Sequence, residues 1–224
     1  MDSLSEYLQP YKGLVGEVAS YVTILQFFSG CFVCKDIYNK HSTRGINPTP
    51  FIGGIALGIL NLKYGLLLSD PAMIKVNIAA IFLNIVYSLF FYQFAEDKVI
   101  EVLKPLSFAF AIVAVILGYA GFENPDNLEF RFGFILTVLS LALLGAPLKD
   151  LRKIISNRDA SSIPFSITFM ATLVTFLWLI YGVILLNTFM IIQNTIGFLL
   201  SLTQVILIFL YPGRESSNSS QNSS

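Results

Sequence analysis

Charge is the first thing this chain is short of. Its 224 residues carry 14 Lys and Arg against 14 Asp and Glu, 12% of the total, for a net charge of zero. So sparse and even a charge offers no basic face to a phosphate backbone, which excludes nucleic acid as a partner. Histidine is nearly missing: the single one, His41, lies in a polar stretch between apolar runs, so no histidine chain can relay protons. The two cysteines, Cys31 and Cys34, are spaced C-x-x-C, but no βαβ pattern surrounds them and no second pair completes a zinc site. They read as two small apolar residues. No metal, no cofactor and no catalytic group is expected, and the chain does not read as an enzyme.

Apolar surface stands in place of charge. Hydrophobic residues make up 55% of the chain and mean hydropathy is +0.72. At about 1.5 Å per residue, roughly twenty helical residues cross a hydrocarbon layer of about 30 Å. Seven apolar runs of that order lie at 14–34, 50–68, 74–94, 105–121, 131–148, 164–186 and 189–211. The expected fold is therefore an all-α membrane protein of seven transmembrane helices, with membrane lipid as an obligatory partner. Asp2 and Glu6 precede any basic residue, unlike the positive head of a cleaved signal peptide, so the first helix is expected to be retained. The stretch 212–224 is rich in Ser and Asn and is expected to be disordered.

Basic residues collect on the cytosolic side of membrane proteins. Lys35, Lys40, Arg44, Lys98, Lys104, Lys149, Arg152, Lys153, Arg158 and Arg214 fall on one side of the seven runs; Lys12, Lys63, Lys75 and Arg131 fall on the other. The larger set is expected in the cytosol, with the N-terminus outside or lumenal and the C-terminus cytosolic. Asn218 and Asn222 match N-x-S/T, but a cytosolic tail would leave them without glycan.

The chain repeats itself. Residues 35–51 laid over 149–165 pair Lys35-Asp36 with Lys149-Asp150, Ser42 with Ser156, Arg44 with Arg158 and Pro50-Phe51 with Pro164-Phe165, all at a shift of 114. Beyond a three-residue insertion the shift becomes 117, and Tyr64-Gly65 meets Tyr181-Gly182, Met73-Ile74 meets Met190-Ile191, and Asn77 meets Asn194. Each unit holds three helices and the run at 105–121 has no counterpart. Two units with an odd number of crossings point the same way only if a single crossing separates them, as parallel repeats require. The expected plan is 3+1+3: a first repeat at 14–94, a linker helix at 105–121, a second repeat at 131–211 and a tail at 212–224.

An asparagine in hydrocarbon needs a partner or a water-filled cavity. Asn77 and Asn194 hold equivalent places in the third helix of each repeat, opposite one another if the halves form a two-fold pair. A neutral amide donates and accepts, as sugar hydroxyls do. Helical spacing places Asn77 with Asn84, and Asn194 with Gly197, Ser201 and Gln204, on single faces. Thr168, Thr172, Thr175, Trp178 and Tyr181 form another stripe, and Trp178 aligns with Asn61. An aromatic face beside amides suits the C–H face of a sugar ring; the same stripes also serve to join helices. Pro50, Pro147 and Pro164 lie near helix ends assigned to the cytosol and are read either as hinges or as start signals. Titratable groups are nearly absent from the apolar runs, so movement of solute is expected to be uncoupled from ions.

Together these features resemble the SWEET (nodulin/saliva) family of sugar transporters, animal-type in its short tail, over nearly the whole chain. The matches are the 3+1+3 plan, Ala146-Pro147-Leu148, Pro164-Phe165, Trp178-x-x-Tyr181-Gly182 and the pair Asn77 and Asn194. The resemblance implies facilitative, bidirectional carriage of glucose-like mono- or disaccharides by alternating access, in the plasma membrane or the Golgi, and it admits homo-oligomers. It implies substrate contact by Asn77 and Asn194 with Asn61 and Trp178 beside them, hinges at Pro50, Pro147 and Pro164, and an external gate near Tyr64 and Tyr181. One departure stands out: Gly30 occupies the place of a fourth hinge proline. A two-repeat carrier of amino acids, a cargo receptor and a seven-helix receptor are the competing readings.

Overall fold

The computed structural model describes residues 2–143, 145–161 and 163–212; the tail from 213 lies outside them. The helices are α1 (Asp2–Leu8), α2 (Lys12–Phe27), α3 (Gly30–Lys40), α4 (Thr49–Leu67), α5 (Pro71–Phe94), α6 (Lys104–Phe122), α7 (Pro125–Leu143), α8 (Gly145–Asn157), α9 (Phe165–Ile184) and α10 (Thr188–Leu210). A 3-10 turn at Gln9–Tyr11 joins α1 to α2, and a π-helical turn at Val99–Leu103 leads into α6. Among the described residues six helical runs are long and apolar enough to cross a membrane: Ser3–Lys40, α4, α5, Val99–Phe122, α9 and α10. The remaining long helix, α7, has 19 residues and carries Asp126, Glu129 and Arg131 in its first two turns.

The helices extend beyond the apolar runs at several ends. The first run starts at Asp2 instead of 14 and the fifth at Pro125 instead of 131, and α8 reaches Asn157. Hydropathy registers only what sits in hydrocarbon, whereas hydrogen-bonded turns continue into polar sequence until a cap or a left-handed residue stops them.

Residues 20–136 form one compact unit; residues up to 19 together with those from 137 onward form the other. Both cuts fall inside helices, α2 and α7, and they lie 117 positions apart. In the first unit Ile37, Phe51, Tyr87, Phe91, Ala95 and Val102 make a buried cluster. In the second, Ile154, Ala160 and Leu207 pack together, and the opening helix is tied in where Ser5 Oγ and Gln9 Nε2 donate to the Ile184 carbonyl at 3.0 and 2.8 Å.

The two helical hairpins α4–α5 and α9–α10 are built alike to the level of single hydrogen bonds. Ser69 (φ 51°) and Leu186 (φ 52°) stop α4 and α9 in the left-handed region, at a cost of about 1 kcal/mol each for a non-glycine residue. The Asp70 amide donates to Gly65 O at 2.9 Å and the Asn187 amide to Gly182 O at 3.0 Å. Asp70 Oδ1 then caps α5 by accepting from the Met73 amide at 2.8 Å, and Asn187 Oδ1 caps α10 from Met190 at 2.9 Å. All of these pairs stand 117 positions apart. So do the left-handed residues His41 (φ 49°) and Arg158 (φ 51°), which follow α3 and α8. At the turn that ends α3 and α8 the backbone register is thus 117, and there the shift of 114 suggested by side-chain identities is corrected: polar residues recur in both loops, but the αL stop marks the equivalent turn. At 117, the equivalent of Gly30 is Pro147.

Glycines set the distance between hairpin helices. A Cβ on Gly65 would lie 3.0 Å from Met73 Cβ and 3.3 Å from the Ile74 amide nitrogen; one on Gly182 would lie 3.1 Å from Met190 Cγ and 3.2 Å from the Ile191 amide nitrogen. Backbone cannot step aside, so Gly65→Leu or Gly182→Leu is expected to destabilise the protein by about 1–3 kcal/mol through overpacking. Gly118→Ala, which meets nothing within 4 Å, serves as a neutral control in thermal unfolding of the detergent-solubilised protein.

Candidate functional site

Four asparagines and three threonines inside the apolar helices are paired with their own backbone. Asn61 Nδ2 donates to Leu57 O at 2.9 Å, Asn77 Nδ2 to Met73 O at 2.8 Å, Asn84 Nδ2 to Ala80 O at 2.8 Å and Asn194 Nδ2 to Met190 O at 2.8 Å. The hydroxyls of Thr168, Thr172 and Thr175 do the same to Pro164 O, Thr168 O and Ala171 O at 2.8–3.1 Å. A threonine hydroxyl spends its one proton on that bond. An asparagine spends one of two amide hydrogens and keeps its carbonyl oxygen, so Asn61, Asn77, Asn84 and Asn194, all half-buried, each retain a donor and an acceptor.

Packing fixes which of these residues share a level. Gly65 lies against Met73 and Ile74, Gly58 against Ala80 and Ile81, and Gly54 against the Asn84 amide, so α4 and α5 run antiparallel in a constant register. Asn61, between Gly58 and Gly65, stands level with Asn77. In the other hairpin Gly182 lies against Met190 and Ile191, and Gly197 against Thr175; the same reasoning sets Trp178 level with Asn194. Each compact unit thus brings one asparagine of its third helix to the height of the residue that repeat alignment pairs across Asn61 and Trp178.

The tyrosines are buried, Tyr64 stacked on Phe132 at 6.4 Å between ring centroids and Tyr181 edge-on to Trp178 at 5.6 Å. The Tyr181 ring also fills the space beside Gly16, where a Cβ would lie 2.9 Å from its Cε2. Pro50 is the second residue of α4 and Pro164 the N-cap of α9, positions where a missing amide hydrogen costs nothing. Pro147 is the third residue of α8, and its side chain lies outside what the structure describes. Gly30 opens α3 just after a break at Phe28-Ser29.

Two features escaped the sequence reading. Gln193 Nε2 donates to Thr137 Oγ1 at 2.7 Å and bridges α10 to α7 next to Asn194; its spacing from Asn194 offers no periodic signal. Tyr87 sits over Gly30. Among the described residues no group of three or more metal-ligating side chains is found.

A family model described as "Sugar efflux transporter for intercellular exchange" matches residues 13–99 and again 130–216. The chain belongs to this family. It is 30% identical over 207 residues to "Sugar transporter SWEET1" of Drosophila pseudoobscura pseudoobscura, covering 91% of each chain. It is also 30% identical to "Sugar transporter SWEET1" of Caenorhabditis elegans over 88% of this chain and 64% of that one. A solved eukaryotic SWEET transporter superposes with a TM-score of 0.81 at 19% identity, over 92% of this chain and 98% of that one, which establishes a shared fold. The protein is a multi-pass membrane protein of the SWEET family, with its seven helices in the 3+1+3 plan.

Because Asn77 and Asn194 are bonded only to their own helices among the hydrogen bonds described, truncating them removes little packing. Asn77→Ala and Asn194→Ala are each expected to change unfolding stability by no more than about 1 kcal/mol, read from thermal unfolding midpoints in detergent.

Proposed function

We propose that this protein is a facilitative, uncoupled and bidirectional carrier of mono- or disaccharides that works by alternating access. The observation that carries the reading is that Asn77 and Asn194, which hold equivalent places in the two repeats, each keep a spare donor and acceptor, level with Asn61 and with Trp178 respectively. In this reading the amides of Asn77 and Asn194 hydrogen-bond sugar hydroxyls, and Trp178 and Asn61 contact the same sugar. The names carried by its relatives agree, since those in fly and worm are both called sugar transporters. The N-terminus is outside or lumenal and the C-terminus cytosolic, as the distribution of Lys and Arg supports; the membrane is that of the cell surface or the Golgi. Tyr64 and Tyr181 belong to the external gate, and Pro50, Pro147 and Pro164 to the cytosolic hinges.

A neutral site argues against an amino-acid carrier, whose substrate brings two charges that need partners in a low-dielectric site.

Uptake of radiolabelled glucose, sucrose and trehalose into liposomes holding the purified protein tests the proposal. At least one sugar is expected to equilibrate to equal internal and external concentration, whatever pH gradient is imposed. Asn194→Ala is expected to lower that flux about tenfold, the loss of about 1.4 kcal/mol of hydrogen bonding. Failure of all three sugars to move would sink the reading, and accumulation driven by a proton gradient would contradict uncoupled transport.

A further inference from the structure

The first membrane helix is broken where its repeat partner carries a proline, and the break has an occupant. After α2 the chain winds tightly: the amides of Phe28, Ser29, Cys31 and Phe32 donate three residues back, to Leu25, Gln26, Phe28 and Ser29, at 2.9–3.2 Å. In an unbroken α-helix the Cys31 amide would donate to Phe27 O. Here it donates to Phe28 O instead, and Phe27 O accepts from the hydroxyl of Tyr87, 3.1 Å away on α5. The Tyr87 ring lies flat on Gly30: a Cβ there would collide with Cε2 and lie 2.7 Å from Cδ2 and 2.8 Å from Cζ. Tyr87 is 5% exposed, its hydroxyl is 3.5 Å from Cys31 Sγ, and its ring meets Phe51, at the start of α4, with centroids 5.4 Å apart.

Kinks in helices come from proline or from Gly/Ser pairs, and Ser29-Gly30 is such a pair. In the second repeat Pro147 stands at the position of Gly30. A proline has no amide hydrogen and so loosens a helix by itself. Glycine keeps its amide, so a glycine break closes again into regular helix unless something competes for the freed carbonyl. Tyr87 is that competitor.

Resting on the reading of this chain as an alternating-access carrier, we infer that Tyr87 is a positioning residue of transport: it latches the first helix in its bent form at Gly30. Phe27 O is shared between two states. In one it accepts from Tyr87 and the helix is bent; in the other the Cys31 amide reclaims it, the helix straightens and the ring leaves Gly30. Two packings that exclude one another make a bistable element, which alternating access requires. Contact with Phe51 passes the movement to the start of α4, beside Pro50. The ring also explains why residue 30 is glycine, since any side chain there would expel Tyr87.

Tyr87→Phe keeps the ring and removes the latch hydrogen bond. Zero-trans influx and efflux of radiolabelled glucose are measured in cells expressing wild type, Tyr87→Phe, Gly30→Ala and Gly30→Ala/Tyr87→Leu. An uncoupled carrier has no energy input, so Vmax/KM must be equal in the two directions. A shifted balance between forms therefore moves the two KM values in opposite directions. Tyr87→Phe is expected to raise KM several-fold on one face and lower it on the other. Gly30→Ala is expected to lose most flux, and the double variant to regain at least a third of it. A fall in Vmax with both KM values unchanged would show a merely structural role and overturn the latch, as would full activity of Gly30→Ala.

Alkylation of Cys31 by N-ethylmaleimide in a Cys34→Ser background reads the latch without any sugar. Tyr87→Phe is expected to change its rate at least threefold; an unchanged rate overturns the latch. If wild type carries no glucose while labelling responds to Tyr87→Phe, the latch stands and the sugar assignment is what fails.

Discussion

Polar groups placed in hydrocarbon have to be paired within the protein, and that constraint organises this molecule from its turns to its site. The backbone satisfies it by forming helices. Where a helix must end inside or near the apolar layer, the ends are closed by design: Asp70 and Asn187 cap α5 and α10, and left-handed residues at 69 and 186 turn the chain so that the next amides reach back to Gly65 and Gly182. Four asparagines and Thr168, Thr172 and Thr175 meet the same demand by bonding to carbonyls one turn back, and Gln193 by reaching Thr137, while the buried hydroxyl of Ser88 is left without a partner among the described residues. What distinguishes asparagine from threonine is the remainder after that bond. Threonine is left with lone pairs only, whereas asparagine keeps both a donor and an acceptor, which is the chemistry a sugar hydroxyl presents.

The duplication is closer in backbone than in side chains. Two hairpins share their caps, their left-handed stops and the glycines that let their helices touch, and in each an antiparallel register sets one asparagine level with the residue of interest on the preceding helix. The halves differ where charge and flexibility are concerned. Asp70 caps one hairpin and Asn187 the other; Gly30 with its tyrosine stands at one break and Pro147 at the equivalent place. Such differences are the places where two equivalent halves can respond unequally to the same substrate.

Much of this was legible in the residues. Apolar length located the crossings, because hydrocarbon thickness leaves few choices, and the pairs Tyr64-Gly65 with Tyr181-Gly182 and Asn77 with Asn194 located the repeat. What stayed hidden depended on backbone conformation or on distant contact. The register at the loops was obscured by Lys, Asp and Ser recurring in both, and became plain only from the left-handed φ of His41 and Arg158. Helix starts at Asp2 and Pro125 fell outside the apolar runs that hydropathy detects. Tyr87 is one of ten tyrosines in an aromatic-rich chain, and nothing in its local sequence says that its ring covers a glycine 57 positions earlier.

Trp178 is the single tryptophan of the chain, and it stands level with Asn194, so its fluorescence reports directly on the residues at the centre of this account. Titrating the purified protein with glucose, sucrose and trehalose is expected to give a saturable change in Trp178 emission with at least one of them, and Asn194→Ala is expected to abolish it or to move its midpoint at least tenfold. Flat titrations with all three sugars, or an Asn194→Ala titration that overlays wild type, would contradict the claim that the half-committed asparagines hold the sugar.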